Sequence, residues 1–258
     1  MQHAPAARPL LASALSAALA LTAAACSNGG RAADRPAGTT SATAQSPAAL
    51  PSPAVPPALT REQARAALIT EADLGETWEP TRGAATWRDE VLKATAEHPD
   101  CGRLLDVLYT EELFGAATAP RASVALDDAA GGAQLHFRIT SHRAAGIDRT
   151  LAWLATLPDT CGRFTARTAN GATRDARVTG LALPEAGDAR QGLRVTVSAE
   201  GAEGAVLTVD LVAVRVGDDA ISLTNGGPGE PADDATRAAV GVGTERLVEI
   251  RRQGRAQV

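Results

Sequence analysis

Ala205-Val-Leu-Thr-Val-Asp-Leu-Val-Ala-Val-Arg-Val216 decides the fold. Val206, Leu207, Val209, Leu211, Val212, Val214 and Val216 put apolar residues on both faces of this run. A strand with one wet face alternates apolar and polar residues, whereas a strand covered on both faces reads as a near-continuous apolar run. The stretch is therefore expected mid-sheet, with cover on both sides. Turn chemistry brackets it: Glu200-Gly201-Ala-Glu-Gly204 before, and Gly217-Asp218-Asp219 after. Tight turns set consecutive strands side by side and antiparallel. On one side Gly192 to Ser198 alternates Leu193, Val195 and Val197 with Arg194, Thr196 and Ser198, and Arg177 to Leu183 is a short strand before it. On the other side Ala220 to Thr224 completes a meander.

The N-terminal half supplies helices and one more hairpin. Ala133 to His142 alternates Leu135, Phe137 and Ile139 with His136, Arg138 and Thr140. The Asp127-Asp128-Ala-Ala-Gly131-Gly132 turn pairs it with Arg121 to Leu126. Thr60-Arg-Glu-Gln63 has capping-box spacing and opens a helix carrying Ala64, Ala67 and Leu68 on one side, ending near Thr70. Pro99 to Leu108 places Cys101, Leu104, Leu105 and Leu108 at helical spacing. Ala144 to Leu157 does the same with Ile147, Leu151 and Leu154, with Pro158 as its stop and Cys161 opening the strand Gly162 to Thr168. Glu79 to Glu90 reads as irregular. A last helix starts at Asp233 or Asp234 and runs through Arg252, with Val240, Gly243, Leu247 and Ile250 inward and Arg246, Arg251 and Arg252 toward its negative end. The fold class is α+β: an antiparallel sheet packed with several helices, in a single domain.

Residues 1–25 have the parts of a secretory signal: Arg8, an apolar run from Leu10, and small residues before Cys26. The run is shorter than the roughly 20 apolar residues of a spanning helix. Ala23-Ala24-Ala25-Cys26 resembles a bacterial lipoprotein lipobox, with Ala23 where Leu is commonest; it implies lipidation, palmitate included, at Cys26. Cleavage after Ala25 without acylation is the alternative. Two acyl chains tether far better than one, each buried methylene contributing about 0.8 kcal/mol. Residues 26–59 form a lipidated tail rich in Ala, Ser, Thr and Pro, which spans roughly 30 Å as a flexible coil. Residues 60–252 are the domain and 253–258 a C-terminal tail. With Cys26 assigned to lipid, Cys101 and Cys161 remain, and in an oxidising compartment they read as a disulfide.

Composition narrows function. The 258-residue chain has a formal net charge of −5 and no basic, aromatic-interleaved stripe, which argues against a nucleic-acid partner. Aromatics are 3% of residues, so the core is aliphatic. Glu71, Asp73 and Glu76 cluster without the spacing of a cation loop. His98 lies three residues before Cys101, but that cysteine is better used on Cys161. His136, Arg138 and His142 form a small polar strand face, read as solvated. Asn225-Gly-Gly-Pro-Gly229 lacks the Lys-Ser/Thr of a phosphate loop and reads as a turn. The Gly-x-Ser-x-Gly elbow and the His-Glu-x-x-His metal motif are absent. A hydrolase would have to assemble Ser141, His142 and Asp148 in space.

The order of elements, with Leu68 to Trp78 (LITEADLGETW) and Trp153 to Cys161 (WLATLPDTC), resembles the extracellular sensor domain of some actinobacterial serine/threonine kinases, the PknH-like family. The resemblance implies a curved antiparallel sheet and a cleft for an unknown small ligand, without catalysis or cofactor. That family often carries two disulfides, where only Cys101 and Cys161 can pair here. The expected protein is a lipid-anchored, extracytoplasmic ligand-binding or sensor-like domain on the cell membrane, with the membrane, a small ligand or a membrane protein as partner. A carrier of lipid or a hydrophobic small molecule, with an aliphatic cavity, is the alternative.

Overall fold

The computed structural model describes residues 58–85, 87–115, 122–200, 207–229 and 233–256. The expected signal sequence, Cys26, the expected tail through residue 57 and the expected turn at 201–204 lie outside them. The strands are β1 (Trp78–Pro80), β2 (Ala94–Ala96), β3 (Ala122–Asp128), β4 (Gln134–Ser141), β5 (Arg163–Thr168), β6 (Thr173–Gly180), β7 (Ala189–Ala199), β8 (Leu207–Val216) and β9 (Asp219–Gly227). The helices are α1 (Arg61–Ala66), α2 (Glu71–Leu74), α3 (Pro99–Thr110), α4 (Ala144–Thr160) and α5 (Asp233–Ala256), with one wide helical turn at Arg88–Leu92. All nine strands join one open antiparallel sheet in the order β1-β3-β4-β9-β8-β7-β6-β5-β2.

β8 is the middle strand of that order, as its two-sided apolar sequence requires. Leu207, Val209, Leu211 and Ala213 face a core built with Leu104 and Leu108 of α3 and Ile147, Leu154 and Leu157 of α4. Val212, Val214 and Val216 face a second core with Phe137, Ile139, Ala239, Val240 and Leu247. The sheet is thus a partition: α3 and α4 cover one side, α1 and α5 the other. Cys101 and Cys161 are bonded, with Cα atoms 5.6 Å apart, and pin the start of α3 to the end of α4.

Several expected boundaries move. Pro158 does not stop α4, which runs to Thr160 and closes with Cys161 N–H donating to Leu157 O at 2.7 Å. Proline in a last turn loses one backbone bond without stopping the next. α5 continues past Arg252 to Ala256. The Asn225-Gly-Gly stretch is not a turn: it is the end of β9, paired with β4 and β8. A Cβ on Gly227 would stand 2.8 Å from the Ala133 Cα, and one on Gly226 2.8 Å from Val209 Cγ2, so these glycines permit close strand packing. β1 and β2, the two edges, had no sequence signal.

α5 meets the sheet through a glycine. A Cβ on Gly243 would stand 2.3 Å from Phe137 Cζ, whereas one on Gly241 meets nothing within 4 Å. Gly243→Val is therefore expected to lower stability by about 1–3 kcal/mol through overpacking. Gly241→Ala should raise it by about 0.5–1 kcal/mol through helix propensity. Urea unfolding of both variants checks the pair; equal signs would contradict this packing.

Candidate functional site

The disulfide holds α3 and α4 together at one end, and farther along the pair leaves a cleft of about 470 Å³. Arg103, Phe114, His142, Gly146, Arg149 and Thr150 line it. None carries a carboxylate, in a chain that is acidic as a whole.

Each wall has a cause. Asp100, in the first turn of α3, accepts a hydrogen bond from Trp153 Nε1 at 3.0 Å and fixes this α4 indole against α3. The Arg103 guanidinium, one helical turn on, lies 3.7 Å from the Trp153 ring centroid. Stacking restrains an otherwise exposed side chain while leaving its N–H edges open to an acceptor in plane. Arg149 Nη2 folds over the first turn of α4, 3.8 Å from where a Cβ on Gly146 would stand. The Phe114 and His142 rings lie 5.1 Å apart, tilted by 40°. His142 Nε2 is shielded from solvent and has no hydrogen-bond partner in the structure. Burial pushes the His142 pKa below its ordinary value, against the pull of the Asp219 charge.

Ser141, His142 and Asp148 do not form a catalytic set. Ser141 Oγ donates to Asp219 Oδ1 at 2.6 Å, and Asp148 Oδ1 pairs with Arg215 Nε at 2.8 Å. Asp219 in turn pairs with Arg251 at 2.6 Å. His98 and the two cysteine sulfurs lie within 4.8 Å of one another, but the sulfurs are bonded together and His98 Nδ1 accepts from the Asp100 N–H. Asp73 forms a two-point ion pair with Arg246 at 2.7 and 2.8 Å, which ties α2 to α5.

The polar face of β4 is more structured than its sequence suggested. His136 Nδ1 lies 2.8 Å from Glu111 Oε1, Arg88 also pairs with that carboxylate, and Arg138 Nη1 donates to the Glu111 carbonyl at 2.8 Å. His142 stands apart from this group, in the cleft. Glu111 has φ 60°, the left-handed region, where it closes α3. Burial opposes its ionisation, but the His136 hydrogen bond and the charges of His136, Arg88 and Arg138 outweigh that and hold its pKa below the ordinary 4.5. A depressed carboxylate pKa adds stability above the unfolded-state value, lost as pH falls through the folded-state value. Glu111→Gln is therefore expected to destabilise the domain more at about pH 7 than at about pH 3. Denaturant midpoints of both proteins at the two pH values test this; a pH-independent difference would contradict it.

A second cavity, of about 270 Å³, lies near the C-terminal end of α5, with Gln63, Asp188, Asp218, Arg251 and Arg255 among its lining residues. It mixes both signs of charge. No described helix is long and apolar enough to cross a membrane.

No protein-family model matches the chain, and comparison with curated proteins returns no match. Among solved structures, the crystal structure of the extracellular domain of PknH from Mycobacterium tuberculosis is similar, at 14% identity and a TM-score of 0.46. The match covers 77% of this chain and 98% of that one.

Proposed function

We propose that the chain is a lipoprotein held by Cys26 on the extracytoplasmic face of the membrane, and that its domain is a non-catalytic, sensor-like module binding a small ligand between α3 and α4. The observation that carries the reading is the α3–α4 cleft itself: large enough for a small molecule, walled by preset side chains, and made by the two helices that the disulfide joins. Its lining offers positive charge and an aromatic wall, and its one hydroxyl, Thr150 Oγ1, donates to the Gly146 carbonyl at 3.4 Å. The lipid-carrier reading fits less well. Both faces of the central strand are packed, and the cleft is cationic rather than aliphatic.

A thermal-shift screen of chemically diverse small molecules tests the binding reading. Compounds that raise the Tm of the wild type should fail to raise that of the Arg103→Gln, Arg149→Gln double variant. Hits unaffected by the double substitution would move the site elsewhere. The anchor is tested separately, by the mass of the N-terminal peptide beginning at Cys26.

A further inference from the structure

We propose that the α3–α4 cleft selects an organic anion: a phosphate or carboxylate group held between Arg103 and Arg149 beside His142, with a planar body lying on Phe114. The inference deepens the ligand-binding reading and rests on it.

Charge inventory comes first. Several arginines are matched to acids: Arg88 to Glu111, Arg194 to Asp210, Arg215 to Asp148 and Asp188, Arg246 to Asp73, Arg251 to Asp219, whereas Arg163, Arg167, Arg174 and Arg177 on β5 and β6 are not, among the described residues, and lie outside the cleft. Arg103 and Arg149 have no carboxylate partner among the described residues. Two unmatched guanidinium groups in one concavity repel each other, and an anion between them turns that repulsion into attraction. Arg103 is also preorganised. The chain Asp100–Trp153–Arg103 fixes its plane before any ligand arrives, so little side-chain freedom is lost on binding.

His142 completes the donor set. Its buried Nε2 lacks a partner, and a shielded polar atom left unpaired is destabilising. Nε2 is closed to solvent as the ring stands, so a ligand oxygen accepts from it only once the ring turns toward the cleft. The charged groups around this ring are Arg143 beside it in sequence, Asp218 and Asp219 from the β8–β9 turn, Arg149 from α4 and Arg103 from α3, with Asp219 already engaged by Ser141 and Arg251. The His142 backbone N–H is occupied by the Asp218 carbonyl at 2.8 Å, so the ring rather than the backbone is available. Phe114, tilted against the imidazole, offers a flat apolar surface at one wall. An anion with no body would leave that surface unused.

Calorimetric titration of the full mature chain in detergent tests this with four probes: phenyl phosphate, benzoate, inorganic phosphate and neutral benzyl alcohol. Phenyl phosphate or benzoate should bind at least about tenfold more tightly than benzyl alcohol, and more tightly than inorganic phosphate. Arg103→Gln and Arg149→Gln should each weaken the favoured anion by about tenfold or more, while Tm falls by no more than about 4 °C, the share of the Arg103–Trp153 stacking. Arg103→Lys, which keeps the charge but not the planar fork, should recover only part of that loss. Equal affinity for benzyl alcohol and the anions would overturn the anion inference and leave the cleft as a ligand site. Inorganic phosphate binding as tightly as phenyl phosphate would overturn the role given to Phe114. No binding by any probe, together with a blank thermal-shift screen, would remove the ligand-binding reading itself.

Discussion

Reducing Cys101–Cys161, or replacing both cysteines by alanine, is expected to destabilise the domain by about 4 kcal/mol, the chain-entropy value for a loop of this length. The bond closes a sequence separation of 60 residues, and both cysteines are fully buried. For a domain of about 200 residues the loss corresponds to a fall in Tm of roughly 10 °C. The mechanism is local as well as global. α3 and α4 pack on β7 and β8 and on each other, and the bond fixes their relative position at one end of the cleft. Hydrogen exchange should therefore rise first in α3 and α4, before β8 and β9. The folded domain should present no free thiol at residues 101 and 161 until a reductant is added. A double-alanine variant as stable as the wild type would contradict this account of the α3–α4 layer.

Arg194→Met is expected to be comparably severe, at about 3–5 kcal/mol, because it leaves a buried carboxylate without its cation. Asp210, on the central strand, has no exposed surface. Arg194 Nε and Nη2 donate to its two oxygens at 2.8 and 3.0 Å. Thr236 Oγ1 donates to Asp210 Oδ2 at 2.8 Å and accepts from Asn225 Nδ2 at 3.0 Å, so one polar chain links β7, β8, β9 and α5. Combining Arg194→Met with Asp210→Leu should recover much of the loss, because two apolar side chains replace the pair, while Thr236 still loses an acceptor. Denaturant unfolding of the singles and the double measures the coupling. A double variant as unstable as the sum of the singles would contradict it.

The legible parts of this fold were those with a period or a count. β7 to β9 declared themselves through β-branched alternation and Gly-Asp turns, and β8 through apolarity on both faces. The cystine followed from there being two cysteines once Cys26 was set aside, and the structure forms it. Edge strands β1 and β2 were invisible because three residues have no period. They exist because β3 and β5 offer open edges, as in the Trp78–Asp128 and Ala96–Ala166 pairings. Asn225-Gly-Gly misled because glycine usually marks a turn, while here its missing Cβ admits Ala133 and Val209. The left-handed Glu111 left no local mark either. The cleft was the least legible feature. Arg103, Phe114, His142 and Arg149 are scattered along the chain, and the sequence marks only His142 among them, for the β4 polar face and for a set with Ser141 and Asp148, neither of which is the cleft.

Chemical-shift mapping tests most directly whether the α3–α4 cleft is the ligand site. Isotope-labelled protein titrated with the strongest compound from the thermal-shift screen should show its largest changes at Arg103, Phe114, His142 and Arg149. Changes centred instead on Gln63, Arg251 and Arg255, around the cavity by α5, would contradict the assignment.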